Sequence, residues 1–509
     1  MRKGEKTSIG MSDIDQQKRR LHDRGICVVI PTYNNAGTIA SVVEKTRQQC
    51  LDVIVVNDGS TDATTGILRS IRGITLIEYT PNRGKGYALK QGFRKALEMG
   101  FAYAITLDGD GQHYPEHIAQ FLEANIAHPG ALIIGSRNLE GVERSRGSSF
   151  ANKFSNFWFC VQTGRCLDDT QTGYRLYPLK KLHGLSLLTA RYEAELELLV
   201  FASWHGVELV PIPIEVYYPP LRERVSHFRP GPDFARISLL NTVLCLLAIV
   251  YGLPLRIWHW LMKYVRTVYS LLFFLFFSIV IIKPAVWLYV KTGRMTERKR
   301  FRLHQLIQWT AKFIMIRHGI PGTRFYCDVV VDADFDKPHV MICNHQSQLD
   351  LMCLLQFSPK IIFLTNDWVW RNPVYGFLIR QAEYYPVAEG IEALLPKLRS
   401  LVERGYSIAV FPEGTRSKDC RIGRFHKGAF WLSGKLGIPL LPVCLYGPGK
   451  VLPKGACILH KSPIYIKVYS PVGRDTLQQA GDYRQQASWM RRRYQEEYEA
   501  IADRIEQDV

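Results

Sequence analysis

Short apolar runs alternate with amphipathic runs over the first half of the chain, which predicts buried strands joined by helices. Turn residues bound each apolar run. This alternation favours a parallel sheet covered on both faces, with ligands at the carboxyl ends of its strands. The predicted strands are 27–33, 53–58, 74–79, 103–108 and 131–137, and the predicted helices are 36–50, 62–71, 86–99 and 115–128.

An apolar stretch, 237–290, interrupts the alternation and separates the two halves of the chain. Its first run, 237–255, carries no charge and is nearly long enough to cross a hydrocarbon layer of about 30 Å. Its second run, 267–290, follows a basic connector at 256–266. The lack of a polar face favours membrane embedding over a pair of buried core helices. A two-span hairpin and a re-entrant or interfacial pair both fit, and both leave the flanking domains on one side.

Strand-like and helix-like runs return in the second half and predict another α/β domain. An amphipathic segment, 303–320, is a candidate for a helix on the bilayer surface. The mixed charges of the C-terminal segment predict a solvated helix, and the N-terminal segment reads as a mobile polar tail without a signal peptide. The predicted parts are the tail 1–25, the first domain 26–236, the membrane-embedded segment 237–290, the second domain 291–475 and the charged helix 476–509.

Composition narrows the possible binding partners and the cellular compartment of the protein. The formal net charge is +19, from 65 basic and 46 acidic residues, so we expect an anionic partner. No nucleic-acid-binding motif is present, which favours anionic lipid headgroups on the cytosolic face of an inner membrane. Eleven scattered cysteines without zinc-ligand spacing predict reduced thiols. Basic residues crowd the apolar stretch on both sides: Arg222, Arg224, Arg229 and Arg236 before it, and Arg294, Arg298, Lys299, Arg300 and Arg302 after it.

Polar motifs follow the first four predicted strands: PTYNN (31–35), NDGSTD (57–62), PNRGKG (81–86) and DGDGQHYP (108–115). Asp108 and Asp110 lie two residues apart in a glycine-flanked turn. One loop can therefore aim both carboxylates at a divalent cation, which in turn neutralises a diphosphate. A single pair of this spacing is common in acidic turns. Four strand-end motifs in order are far more informative.

Together these motifs resemble glycosyltransferase family 2, in particular its members that glycosylate polyprenyl phosphates and other membrane lipids, over about residues 26–236. The resemblance implies a Rossmann-like nucleotide-sugar-binding fold of the GT-A type and an inverting transfer. It implies that Asp108 and Asp110 hold Mg²⁺ or Mn²⁺. The family's second motif usually opens with two aspartates, whereas this chain has Asn57 and Asp58. The implied nucleotide-sugar contacts are Pro31, Tyr33, Asp58, Arg83, Lys85, Gln112 and His113.

The segment DDTQTGYRLYP (168–178) resembles the acceptor-side motif of the same family. Asp169 is the candidate catalytic group beside the acceptor oxygen. An acceptor that is already a phosphate needs no strong base, and Asp169 would then only position the reactants. Glu193 or Glu195 is a second candidate base, set against the ordinary interpretation of glutamates at helical spacing as a solvated face.

In the second half, His345 and Asp350 stand five residues apart, which suits a histidine just before a helix and an aspartate inside it. A carboxylate there can fix the imidazole tautomer while the histidine removes a hydroxyl proton. With FPEGTR (411–416) and the apolar run that starts at Ile438, this pair resembles the glycerolipid acyltransferases of the lysophosphatidic acid type, over about residues 300–469. The resemblance implies a base, His345, oriented by Asp350, and an acceptor head bound by Glu413, Gly414, Thr415 and Arg416.

One departure concerns the acceptor of this second reaction. The family's second motif normally places an arginine after a short Pro-Val turn, but this chain has Ala388 and Glu389 there. Either Arg380 compensates, or the acceptor carries no glycerol phosphate.

The leading hypothesis is a bifunctional membrane enzyme of lipid or glycolipid synthesis. One half would transfer a sugar from a nucleotide sugar to a lipid acceptor, and the other an acyl chain from an acyl-CoA or acyl-carrier-protein thioester to a hydroxyl. The alternative is a lipid glycosyltransferase whose second domain binds lipid without chemistry. A basic membrane scaffold without activity would leave two complete motif sets unexplained.

Overall fold

The computed structural model describes residues 13–137, 146–184, 189–217, 230–373, 376–387 and 390–508. It divides into an N-terminal unit, Met1–His259 with Glu506–Val509, and a C-terminal unit, Trp260–Ile505. The predictions that concern Arg222, Arg224, Arg229, Ala388 and Glu389 lie outside the described residues.

A seven-stranded sheet forms the centre of the N-terminal unit. Its strands are β1 Ile26–Thr32, β2 Val53–Asp58, β3 Thr75–Tyr79, β4 Tyr103–Thr106, β5 Leu132–Arg137, β6 Arg175–Pro178 and β7 Leu209–Ile214. They lie in the order β3-β2-β1-β4-β6-β5-β7. Strand β6 is antiparallel to β4 and β5, so the sheet is mixed and the prediction of a parallel sheet is wrong at this strand. Four residues at the end of the acceptor-side motif are too short a run for periodicity to reveal β6.

Helices cover both faces of this sheet, as the alternation predicts. They are α1 Asp13–Asp23, α2 Ile39–Gln49, α3 Thr64–Ser70, α4 Lys85–Glu98, α5 Ile118–Ala127 after a 3₁₀ turn at Pro115–His117, α6 Arg146–Thr163, α7 Leu179–Leu182 and α8 Glu193–Trp204. Successive strand residues point to opposite faces. Val29 and Val56 accordingly belong to one core, and Val28 and Val55 to the other.

Two expectations for this unit need correction. The segment expected to be a polar tail contains α1, which buries Leu21, and Arg24 just beyond it donates to Asn125 at 3.0 Å. The thiols are not all reduced, because Cys160 near the end of α6 is bonded to Cys166 in the following turn. The two cysteines are six residues apart, and their Cα atoms are 4.6 Å apart.

The apolar stretch is helical from end to end. It consists of α9 Pro230–Leu247, a π-helical turn Ala248–Gly252, α10 Leu253–Leu275, a second π-helical segment Phe276–Ile282 and α11 Lys283–Lys291. Within the described residues, Ala235–Lys291 is the one helix long and apolar enough to cross a membrane by length and composition. The expected break at the basic connector is absent. The connector holds no glycine or proline, and basic charge alone does not end a helix.

The C-terminal unit is built around a second mixed sheet. Its strands are β8 Phe325–Val329, β9 Val340–Cys343, β10 Ile361–Thr365, β11 Tyr385–Pro386, β12 Ser407–Val410, β13 Leu440–Tyr446 and β14 Ile464–Val468. Their order is β11-β10-β12-β9-β13-β14-β8, and only the β13–β14 pair is antiparallel among these strands. The helices are α12 Glu297–Ala311 with a π-helical segment Lys312–Gly319, α13 Asp350–Leu355, α14 Asp367–Trp370, α15 Gly376–Gln381, α16 Ile391–Glu403, α17 Gly428–Leu436, α18 Pro448–Val451, α19 Arg474–Gln479 and α20 Tyr483–Asp508.

Two helices pack more deeply than their sequences suggest. Helix α12, expected on the bilayer surface, contributes Leu303 and Ala311 to the core of the unit. Helix α20, expected to be solvated, buries Tyr494, whose hydroxyl accepts from the Val443 N–H at 2.9 Å and donates to the Ile342 carbonyl at 2.7 Å. A helix with mixed surface charges still packs when one face is apolar.

Candidate active sites

The loops that follow the strands of the N-terminal unit are joined to one another by hydrogen bonds. The Thr38 hydroxyl, just before α2, donates to the Gly109 carbonyl of the aspartate turn at 2.7 Å. The Asn34 side chain after β1 accepts from the Thr61 N–H after β2 at 2.8 Å. The carboxyl ends of β1, β2 and β4 meet at one sheet edge, so motifs distant in sequence form one loop cluster.

Asp58 holds the loop after β3 in place. Its carboxylate accepts from the Asn82 side chain at 2.9 Å and from the Arg83 and Gly84 backbone N–H groups at 2.8 Å each. These N–H groups lie at the start of α4, whose first residue is Lys85. Asp58, expected to contact the nucleoside, therefore has a structural task that sequence reasoning missed. The lone aspartate of the motif shapes the loop that carries Arg83 and Lys85.

Lys85 joins two carboxylates from distant parts of the chain. Its ammonium lies 2.7 Å from Asp108 Oδ1 and 2.9 Å from Glu195 Oε2 at the start of α8. Burial would raise the pKa of Asp108, but the Lys85 charge holds it below its usual value. Gly173 lies flush against this pair, since a Cβ there would come within 2.7 Å of both Asp108 Oδ2 and Lys85 Nζ. The cluster is thus closed on one side by a residue that has no side chain.

Asp110, the second carboxylate of the aspartate turn, accepts from the Gln112 N–H at 3.0 Å. Its side chain reaches the surface, yet partial desolvation and the neighbouring Asp108 charge raise its pKa to about 6. The described residues contain no group of three or more His, Cys, Asp or Glu that could hold a metal by itself. Two carboxylates complemented by ligand phosphates are an ordinary donor set for Mg²⁺, so Asp108 and Asp110 fit a divalent ion that arrives with a diphosphate.

The other predicted nucleotide-sugar residues differ in their burial and in their contacts. Pro31 is buried in β1, and Tyr33 follows the strand, half-buried. The Arg83 guanidinium donates to the Tyr87 hydroxyl at 3.0 Å. His113 is buried, with Nε2 3.9 Å from Asp108 Oδ2, and burial lowers its pKa to about 4. His113 therefore stays neutral beside the aspartates at physiological pH.

Asp169 is locked in a bidentate ion pair. Arg137 at the end of β5 donates from Nε to Asp169 Oδ2 at 2.6 Å and from Nη2 to Oδ1 at 2.9 Å. The aspartate side chain is only 1% exposed. An aspartate paired in this way is better suited to position the reactants than to act as a free base.

Glu195, rather than Glu193, is the glutamate that reaches the cluster. Glu195 is buried and pairs with Lys85, whereas Glu193 is half-buried with no ion pair in the described part of the chain. Sequence reasoning missed Arg175, fully buried, which donates to the Thr170 carbonyl and the Glu195 carbonyl at 2.8 Å each. The arginine inside the otherwise apolar run YRLYP is the sequence feature that could have indicated these hydrogen bonds, which join the acceptor-side motif to α8.

In the C-terminal unit, His345 lies just after β9 and Asp350 is the first residue of α13. His345 Nδ1 is 2.9 Å from Asp350 Oδ2, and the same oxygen accepts from the Gln346 and Ser347 N–H groups at 2.6 and 2.8 Å. A carboxylate accepts, so the imidazole proton resides on Nδ1 and Nε2 is the basic nitrogen. The imidazole stacks on Phe411 at a centroid distance of 4.0 Å.

Glu413 fixes the backbone around the histidine. One carboxylate oxygen accepts from the His345 N–H and the other from the Gly423 N–H, both at 2.9 Å. Burial raises the pKa of Glu413. The Ser417 N–H donates to the His345 carbonyl at 2.8 Å, which ties the FPEGTR loop to the histidine a second time. Glu413, predicted to bind the acceptor head, is therefore engaged in holding the site together.

A cavity of about 830 Å³ opens beside His345. Gly414, Thr415 and Arg416 line it together with the histidine, as does Lys454 from the loop after α18. Lys454 Nζ donates to the Thr415 hydroxyl at 2.9 Å and to the Arg416 carbonyl at 2.8 Å. Much of the remaining lining is apolar, including Leu271, Phe274, Ile282, Val286, Leu306, Leu355, Phe377 and Leu452.

Arg380, considered as a replacement for the missing arginine, does not line this cavity. It donates instead from Nη1 to the Trp370 carbonyl at 2.6 Å. Lys454 was not singled out from the sequence, because it lies in a short turn that belongs to none of the recognised motifs.

Comparison with known proteins assigns a family to each unit. Residues 27–169 match the model of glycosyl transferase family 2, and residues 327–446 match the acyltransferase model. The polyprenol monophosphomannose synthase of Mycolicibacterium smegmatis is 30% identical over 205 residues, covering 37% of this chain and 75% of the synthase. A chloroplastic 1-acyl-sn-glycerol-3-phosphate acyltransferase of Brassica napus is 35% identical over 142 residues, covering 27% of this chain and 41% of the plant enzyme.

Among solved structures, glucosyl-3-phosphoglycerate synthase of Mycobacterium tuberculosis, in complex with Mn²⁺, UDP and phosphoglyceric acid, aligns with a TM-score of 0.37. The identity is 17%, over 47% of this chain and 83% of the synthase. The chain spans about two fifths of the length of the plant acyltransferases that it matches.

These matches define a two-domain protein of the transferase class. The chain belongs to glycosyl transferase family 2 through its N-terminal unit, and its C-terminal unit carries an acyltransferase domain.

Proposed function

We propose that the chain is a membrane-associated enzyme of lipid or glycolipid synthesis with two active sites. The N-terminal site would transfer a sugar from a nucleotide sugar to a lipid acceptor, with inversion at the sugar carbon. The C-terminal site would transfer an acyl chain from a coenzyme A or carrier-protein thioester to a hydroxyl. The observation that carries the sugar transfer is the Asp108–Lys85–Glu195 cluster beside Asp110, and the one that carries the acyl transfer is the His345–Asp350 pair on an apolar cavity.

In the sugar-transfer site, Mg²⁺ or Mn²⁺ held by Asp108 and Asp110 would neutralise the donor diphosphate. Lys85 supplies a further positive charge at the same aspartate, 2.7 Å from Asp108 Oδ1. Its neighbour Arg83 is oriented by Tyr87 at the start of the same helix. This arrangement suits a leaving group that develops negative charge as the sugar departs.

The pairing of three acidic residues in the N-terminal unit supports a phosphate group as the acceptor of the sugar. Asp58 caps a loop, Asp169 pairs with Arg137, and Glu195 pairs with Lys85. Each of these carboxylates is already hydrogen-bonded or ion-paired. None of the three is therefore suited to accept a proton from an acceptor hydroxyl. An acceptor phosphate oxygen is itself anionic and attacks without a base, so we infer that the acceptor of the sugar is a lipid phosphate. The related mycobacterial protein is named for a polyprenol monophosphate product.

In the acyl-transfer site, His345 Nε2 would remove the proton of the acceptor hydroxyl while its oxygen attacks the thioester carbonyl. Asp350, 2.9 Å from Nδ1, stabilises the imidazolium that forms. As the tetrahedral intermediate collapses, the carbon–sulfur bond breaks and the proton passes from Nε2 to the departing thiolate. The ester and a free thiol are the products. The apolar part of the cavity would hold the acyl chain.

Both donors are cytosolic, which supports a location on the cytosolic face of the inner membrane. The apolar helix Ala235–Lys291 supports membrane association. Anchoring two sites in one chain keeps the product of one reaction near the other site.

Membranes containing the full chain would be supplied with labelled nucleotide sugars and a labelled acyl thioester, separately and together, and the lipids identified by mass spectrometry. We expect His345→Ala to abolish acyl transfer and to leave sugar transfer intact, and Asp110→Ala to do the reverse. A lipid that carries both labels would show that the two reactions act on one molecule.

The second candidate is a lipid glycosyltransferase with a catalytically silent second unit. The replacement of the expected arginine by Ala388 and Glu389 favours it. Sugar incorporation without any acyl transfer that depends on His345 would make this candidate the better one.

A further inference from the structure

Two cations that line the acyl-transfer cavity at the FPEGTR loop have no acidic partner among the described residues. Among the described residues, neither Arg416 nor Lys454 forms an ion pair with a carboxylate, although both line the cavity that contains His345. An ammonium group has three N–H donors, and Lys454 uses two of them, on the Thr415 hydroxyl and the Arg416 carbonyl. One donor and the full charge are left for a ligand.

The loop that carries Lys454 is built into the site. The Ser347 hydroxyl, two residues after the catalytic histidine, donates to the Leu452 carbonyl at 2.9 Å. A turn closed by the Ala456 N–H on the Pro453 carbonyl at 3.1 Å then encloses Lys454. The lysine is thus attached both to the histidine loop and to the FPEGTR loop, and its ammonium is held at a defined position.

We propose that Lys454, which belongs to none of the recognised motifs, is a further phosphate-binding residue beside Arg416 and supplies the cation that the acyltransferase second motif lacks in this chain. This inference rests on the proposed acyl transfer and deepens it, since it names a binding residue of that site outside the recognised motifs. The phosphate has two possible sources with the same chemistry, the head group of the acceptor and the pantetheine phosphate of the acyl donor.

A binding measurement tests this without any turnover. The full chain in detergent micelles would be titrated with a lysophosphatidate, with the monoacylglycerol of the same acyl chain, and with coenzyme A. We expect Lys454→Met to weaken binding of the phosphate-bearing source roughly tenfold, as the loss of one charge-assisted hydrogen bond implies, and to leave monoacylglycerol binding unchanged. Lys454→Arg should restore most of the affinity, and the wild-type affinity should fall with rising salt.

Lys461→Met is the matched control, because Lys461 is an exposed lysine seven residues along the chain that does not line the cavity. Selective weakening of lysophosphatidate identifies the acceptor head as the source, and selective weakening of coenzyme A identifies the donor. The proposal is overturned if Lys454→Met weakens the neutral monoacylglycerol equally, if it weakens nothing, or if the wild type binds neither phosphate ligand. Loss of acyl transfer with phosphate binding intact would instead count against the proposed reaction alone.

Discussion

Single residues divide into those that face a ligand and those that hold the site in shape. Asp58, Asp169 and Glu413 all belong to motifs, yet each carboxylate is occupied by backbone N–H groups or by an arginine. Lys454 is the opposite case, because no carboxylate among the described residues neutralises it, whereas Lys85 pairs with both Asp108 and Glu195. A satisfied carboxylate positions its neighbours, whereas a cation with a free donor can bind.

Substitution of Lys85 tests how its charge affects metal and nucleotide binding at the aspartate pair. In Lys85→Met, Asp108 loses the cation that neutralises it, so the aspartate pair should bind Mn²⁺ in the absence of nucleotide roughly tenfold more tightly, equivalent to about 1.4 kcal/mol. The affinity for UDP should fall, since a positive charge near the diphosphate is gone. Electron paramagnetic resonance of Mn²⁺ titrated into the full chain, with and without UDP, measures both effects.

Lys95→Met is the control, because Lys95 forms only a partly exposed surface pair with Glu98 on the same helix. Unchanged or weaker Mn²⁺ binding in Lys85→Met would mean that the lysine supports the aspartates rather than competing with the metal.

At the scale of elements, the two units assemble their candidate sites in the same way. The N-terminal site lies at the carboxyl ends of parallel strands, where β1, β2 and β4 bring three motif loops together. The C-terminal site lies between the end of β9 and the loop after β12, which are adjacent parallel strands. In both units, parallel neighbours deliver side chains from distant parts of the sequence to one edge.

Substitution of Tyr494 tests how much helix α20 stabilises the C-terminal unit. Tyr494→Phe removes the hydroxyl that bridges the Val443 N–H and the Ile342 carbonyl between two central strands, which leaves both backbone groups buried and less satisfied. We expect a destabilisation of about 1–3 kcal/mol, seen as a lower thermal unfolding midpoint of the C-terminal unit. Tyr483→Phe, on an exposed part of the same helix, should leave the midpoint unchanged. Equal midpoints for the two variants would show that α20 adds no stability through Tyr494.

For the whole molecule, the long apolar helix is the feature that indicates membrane association. Ala235–Lys291 has 57 residues, whereas about 20 suffice to cross a hydrocarbon core. Only 11% of its most apolar window is buried within the protein, so most of its apolar side chains have no protein partner there. Contact with lipid would remove this surface from water.

The corresponding prediction concerns membrane attachment. The full chain should stay in the membrane fraction after a high-salt wash, because apolar contacts are not screened as ion pairs are. Leu272→Arg with Phe276→Arg, both on exposed positions of the helix, should shift the chain toward the soluble fraction. Leu51→Arg, at a similarly exposed position of the N-terminal unit, serves as the control. Wild-type chain recovered in solution without detergent would contradict membrane attachment.

The sequence by itself determined the α/β class, the two families and most of the motif residues. Strands such as β1 and β2, and loops such as 108–115, follow from local patterns of apolar and turn residues. The same is true of His345 and Asp350, whose spacing alone indicates a histidine before a helix and an aspartate within it.

Only the tertiary structure decided which of those residues are engaged and which are available. The pairing of Lys85 with Glu195, the capping by Asp58 and the approach of Lys454 to the FPEGTR loop all join segments far apart in sequence. The short strand β6 was likewise beyond local reasoning, since the neighbouring strands create it. The helix continues through the basic connector because that connector holds no glycine or proline. Local periodicity encodes which face of an element is buried, but contacts between elements arise only when the chain is folded.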